Sequence, residues 1–143
     1  MPSTLQWGAT RDATIELYAE KAQESLAGAE SEFANGRYNN CANRCYYACF
    51  QAAITALLRE GIQPAEGRMQ WSHEFVQGRF IGQLINRRKI YPTTLHDTLP
   101  RNMTLRHTAD YSVEQVTDVQ ASRAVRRARA FVEAVVGRGG ERR

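Results

Sequence analysis

The chain has 143 residues, 43% of them hydrophobic and 24% charged, which is the composition of an ordinary globular protein that buries about two-thirds of its unfolded surface. Its net charge of +4 is a mild basic excess. No apolar run approaches the ~20 residues that cross a bilayer, and Met1–Gln6 has neither the basic flank nor the apolar stretch of a signal peptide. These features lead to the expectation of one cytoplasmic domain over 1–143, neither membrane-spanning nor exported. Its expected core is about 12–137, with a basic tail at 138–143.

In chain order, the first predicted element is a helix from about Asp12 to Ala34. Its apolar stripe is Ile15, Tyr18, Ala22, Leu26, Ala29 and Phe33, and Asn35-Gly36 supplies the stop. A second helix, about Arg37 to Glu60, ends at Gly61 and is apolar around most of its circumference, which suits the middle of a bundle. Ile62 to Gln70 contains Pro64 and Gly67 and reads as a loop. A third helix, about Ser72 to Asn86, carries Phe75, Val76, Phe80, Ile81, Leu84 and Ile85 inward, and Gly78 and Gly82 weaken it. Arg87 to Pro92 forms a basic turn.

The fourth segment, about Thr93 to Ala109, contains Pro100, which starts a new helix or kinks one. Ser112-Val113-Glu114-Gln115 fits a capping box opening the last helix, with Val116, Ala124, Ala128, Phe131 and Val135 buried and an end at Gly137. Nothing alternates with period two. The expected fold class is all-α, an antiparallel bundle of about five helices.

Side chains that carry chemistry fall in two clusters. Asn43-Arg44-Cys45-Tyr46-Tyr47 lies on the central helix, and Arg106-His107-Thr108-Ala109-Asp110-Tyr111 lies at a helix junction. Cys41, Cys45 and Cys49 share one stripe at spacing four and read as small core residues. They have no His or Cys partner at zinc-ligand spacing, so no metal and no other cofactor is expected. Asp110 shares a helix face with Arg106, which suggests an ion pair, whereas His107 points about 100° away from Arg106. One of Tyr46 and Tyr47 belongs to the core by geometry, and the other reaches outward beside Asn43 or Arg44. His73, near a helix start, reads as a surface or capping residue. Arg123, Arg126, Arg127 and Arg129 do not share one face; they form either a solvated surface or an RNA-binding strip.

Taken together, these landmarks resemble the HEPN domain, an all-helical family of prokaryotic defence and toxin–antitoxin modules. Tyr46-Tyr47-Ala48-Cys49-Phe50 resembles the family's Tyr-Tyr-Ala-x-Phe helix, and His73 falls where many members place a histidine. Arg106-His107-Thr108-Ala109-Asp110-Tyr111 resembles the Arg-x-x-Ala-Asp-Tyr signature of one branch.

The resemblance implies a homodimer whose two copies face one another across a cleft. It also implies a metal-independent ribonuclease chemistry in which Arg106 binds the scissile phosphate. The family's catalytic histidine, five to seven positions after the arginine, has no counterpart, because those positions hold Tyr111, Ser112 and Val113. Three functions follow. The first is a non-catalytic or weakly catalytic module that binds RNA, a nucleotide or a minimal nucleotidyltransferase partner. The second is a ribonuclease toxin using Arg106 with Tyr111 and His107. The third is a purely structural assembly domain. The candidate site is Arg106, His107, Asp110 and Tyr111, with Arg44, Tyr47, Arg123 and Arg127 as candidate nucleic-acid contacts. Tyr111 is also the candidate for nucleotide addition by the transferase.

Overall fold

The computed structural model describes residues 4–64 and 70–141, with side chains over 10–64 and 70–137. The main helices are α1 (Thr4–Ala34), α2 (Tyr38–Arg59), α3 (His73–Arg79), α4 (Thr98–Tyr111) and α5 (Asp118–Glu141). No strand occurs among the described residues. The fold is therefore an all-α bundle, with α2 packed against all four others.

Side-chain pairs give the directions. Asn43 meets Asp110 while Cys49 meets Asn102, so α2 and α4 are antiparallel. Asn39 bonds Val116, and Arg59 bonds the Val135 carbonyl, so α5 runs alongside α2 in the same direction. The α1–α2 turn is closed by Gly36 at φ 72, with Gly36 N–H bonded to the Phe33 carbonyl and Arg37 N–H to that of Glu32. Gly61 ends α2 in the same way, at φ 76. Both stops use glycine because the left-handed backbone costs other residues energy.

The centre of the bundle suits close helix approach. Ala42, Ala48, Ala52, Ala53, Ala56 and the three cysteines of α2 are all buried. Ala124, Ala128, Phe131 and Val135 of α5 face them, and Phe131 meets Phe80 with ring centres 4.9 Å apart.

Several boundaries differ from the sequence-based expectation. Thr4 rather than Asp12 begins α1. The third helix changes character: after Arg79 it continues as a π-helical segment, Phe80–Arg87. The wider i→i+5 turn brings Phe80, Leu84 and Ile85 inward together. Phe75 and Ile81, expected in the core, are only half-buried.

Pro100 produces no kink. A short 3₁₀ turn, Thr93–Leu95, precedes α4, and Pro100 occupies its first turn, where the missing N–H has no intrahelical partner to lose.

Ser112 does not open α5. Its hydroxyl accepts from Glu114 N–H in a local turn, and Val113 is fully exposed. The reciprocal cap forms instead between Thr117 and Gln120: Gln120 N–H donates to Thr117 Oγ1 at 3.1 Å and Thr117 N–H to Gln120 Oε1 at 3.0 Å. Val116 is buried, yet it lies in the connection before the helix. At the far end α5 continues past Gly137 to Glu141, so most of the expected basic tail is helical. Arg142 and Arg143 lie outside the described residues, as does Gly67 of the expected loop.

Candidate functional site

The two sequence clusters converge where α2 crosses α4. One turn before the end of α4, the Arg106 side chain turns inward. Its guanidinium carbon sits 5.5 Å from the Tyr46 ring centre and 5.3 Å from that of Tyr47. Guanidinium over aromatic faces is an attractive cation–π arrangement, strengthened by the loss of water around it. The Arg106 side chain is only 13% exposed, and its Nε lies 3.4 Å from Asp110 Oδ2 as an ion pair without hydrogen-bond alignment. Nη1 meets Met103 Sδ at 3.6 Å.

Asp110 is in turn tied to α2. Asn43 Nδ2 donates to Asp110 Oδ2 at 3.3 Å, and Asn43 Oδ1 accepts from Arg44 Nη2 at 2.9 Å. The Arg44 guanidinium lies 5.2 Å from the Tyr47 ring centre. Half-buried Tyr47 is thus flanked by two arginines, while Tyr46 is fully buried. The polar chain Arg44–Asn43–Asp110–Arg106 joins residues that are 62 positions apart at its ends.

His73 belongs to the same cluster, whereas its place near a helix start suggests a surface or capping residue. Ser72 caps α3 by accepting from Phe75 N–H, and this delivers His73 to the Tyr46 hydroxyl. His73 Nδ1 lies 2.5 Å from Tyr46 Oη, and the imidazole packs 4.9 Å from the Phe50 ring centre. Burial lowers the His73 pKa from its ordinary value, and Arg106 and His107 push it the same way. All three effects favour the neutral imidazole. Burial pushes the Tyr46 phenol up to about 12, against the opposing pull of the Gln77 side chain and Arg106. Among the described residues, Gln77 and His73 are the site neighbours least visible in the sequence, because only the packing of α3 on α2 places them there.

The remaining candidates lie further out. His107 is exposed on α4, as its 100° offset from Arg106 requires, and its ring centre is 5.5 Å from that of Tyr111. Tyr111 is 73% exposed. Arg127 is not a free surface arginine: its Nε donates to buried Asn102 Oδ1 at 2.9 Å. Arg123 is exposed and shares with Arg101 and Arg127 a shallow groove of 370 Å³ between α4 and α5. Arg129 is paired with Glu30 at 2.8 Å. Cys41, Cys45 and Cys49 are buried thiols, and among the described residues no three metal-ligating side chains converge.

The HEPN domain model matches residues 15–139 of this chain, which takes in the whole Arg106 cluster. The chain belongs to the HEPN family. A similar protein from Methanocaldococcus jannaschii, named as a candidate toxin, is 26% identical over 124 residues, covering 85% of each chain. The HEPN assignment agrees with the all-α bundle. Among the described residues, no helix of this HEPN domain is long and apolar enough to cross a membrane.

Proposed function

We propose that this chain is a toxin-type HEPN protein that binds RNA phosphate at the Arg106 face and works as a homodimer. The observation that carries the reading is the Arg106 guanidinium stacked over the Tyr46 and Tyr47 rings, with the Arg44 guanidinium against Tyr47 as well. A guanidinium held between two aromatic rings is also pre-organised for phosphate oxygens. The toxin-like name of the archaeal relative supports the functional class. Exposed Val113 and Tyr111, beside the site, support a second copy packing there.

The test is RNA binding in EDTA by wild type and Arg106→Ala, with the mass measured by sedimentation. Binding that Arg106→Ala weakens at least tenfold, on a species of twice the chain mass, is the expected result. Equal binding by both proteins, or none by either, overturns it and leaves an assembly role.

A second reading rests on Tyr111. Its ring is 73% exposed at the end of α4 and next to His107, so its hydroxyl is accessible to a nucleotidyltransferase partner. Mass spectrometry of the chain co-expressed with a transferase encoded beside it would show nucleotide on Tyr111, and Tyr111→Phe would remove it.

A further inference from the structure

We propose that His73 is the proton-transfer residue of the Arg106 site, held in position by the buried Tyr46 hydroxyl. This rests on the reading of the Arg106 face as an RNA-phosphate site. It answers a chemical need that the α4 segment does not meet. Cleaving RNA without a metal requires a base for the 2′-hydroxyl, an acid for the 5′-oxygen and a cation for the charge that builds on phosphorus. Arg106 supplies the cation. Positions 111–113 hold Tyr111, Ser112 and Val113, and no imidazole follows Arg106 at that distance.

His73 comes from a different element and packs against Tyr46, the ring over which the Arg106 guanidinium lies. Its Nδ1 is committed to Tyr46 Oη at 2.5 Å, which fixes the ring and leaves Nε2 as the working nitrogen. The Tyr46–His73 bond runs in either of two senses, set by the tautomer of the ring. When Tyr46 accepts from Nδ1–H, Nε2 presents a lone pair. When Tyr46 donates to Nδ1, Nε2 carries the proton. Tyr46 is the positioning residue in this arrangement. The groups facing the imidazole are Tyr46 and Phe50 from α2, Gln77 from its own helix, and Arg106 and His107 from α4. None is a carboxylate, and burial, Arg106 and His107 all act toward the neutral ring.

The step balances as a transesterification. Nε2 takes the 2′-hydroxyl proton as the P–O2′ bond forms, and Arg106 stabilises the added negative charge. The protonated imidazole then returns that proton to the 5′-oxygen as the P–O5′ bond breaks. The products are a 2′,3′-cyclic phosphate and a 5′-hydroxyl, with His73 restored.

The experiment uses the full chain in EDTA with end-labelled RNA and its 2′-deoxy analogue, comparing wild type, His73→Asn, Tyr46→Phe and Arg106→Ala. The expected result is cleavage to cyclic-phosphate ends by wild type. His73→Asn should lose about a hundredfold or more in rate while binding RNA within threefold of wild type. Tyr46→Phe should lose less and change the tautomer of His73, read from the imidazole nitrogens by NMR. In wild type, the 2′-deoxy analogue should shift the His73 Nε2 resonance, a readout that does not depend on any variant folding. If His73→Asn cleaves like wild type, or if Nε2 does not respond to the analogue, the proposal is overturned and the RNA-phosphate reading stands. The same holds if wild type binds RNA through Arg106 yet cleaves nothing. If Arg106→Ala binds RNA as wild type does, the site reading itself fails and this proposal falls with it.

Discussion

Arg127 Nε donates to Asn102 Oδ1 at 2.9 Å, which fastens α5 to a buried amide of α4. The other end of that amide reaches Cys49 Sγ on α2 at 3.5 Å. One polar side chain thus bridges three helices inside the bundle. Removing a partner strands the rest, and a buried unsatisfied group costs about 1–3 kcal/mol. Asn102→Ala and Arg127→Ala should each lower stability by about that amount in urea unfolding. Arg123→Ala, at an exposed position, should stay within about 0.5 kcal/mol of wild type.

The cap of α5 separates two residues that look alike in sequence. Thr117→Ala removes the hydroxyl that accepts from Gln120 N–H and should cost about 1 kcal/mol. Ser112→Ala removes only a local turn contact to Glu114 N–H and should leave the unfolding midpoint nearly unchanged. Equal losses in the two variants would contradict the helix start at Asp118.

Tyr46 creates an alkaline limb in stability. Its phenol titrates near 10 when unfolded and about 12 when folded, so between those values the unfolded chain has released a proton that the native protein keeps. Stability therefore falls as pH rises from 10 toward 12, by roughly 3 kcal/mol in all from this group. Tyr46→Phe should lack this limb. At pH 7 it should be less stable by about 1 kcal/mol through the lost hydrogen bond.

His73 behaves in the opposite direction. Its folded pKa lies below the ordinary 6.5, so the unfolded chain binds the proton first and stability falls as pH drops below about 6.5. Arg106→Ala removes a cation that disfavours its protonation, and the His73 midpoint measured by NMR should rise. It should remain below the ordinary value, because burial is the larger cause.

Arg106→Lys keeps the charge and loses the planar group stacked over Tyr46 and Tyr47. On the proposed function, RNA affinity should fall about tenfold, because an ammonium offers no bidentate fork to a phosphate. Filter binding at two salt concentrations would measure it. Affinity equal to wild type would show that bulk charge alone carries binding.

The helical periods, the glycine stops at Gly36 and Gly61 and the apolar girth of α2 determined the bundle, because each is a local property of the chain. The same holds for the Arg106–Asp110 pair, which helix spacing alone brings together. The landmark residues Tyr46, Tyr47, His73 and the Arg106–Tyr111 segment sufficed for the family. What local patterns did not determine was which of two similar signals operates. Ser112-x-x-Gln115 and Thr117-x-x-Gln120 both fit a capping box, and burial of Val116 before Asp118 decides for the second. Arg123 and Arg127 share a helix face, and only the buried amide of Asn102 distinguishes them. His73 shows the limit most clearly. Its sequence neighbours mark a helix start, while its chemistry comes from Tyr46 and Arg106, which lie 27 and 33 positions away along the chain. No periodicity encodes that distance; the packing of α3 and α4 on α2 supplies it.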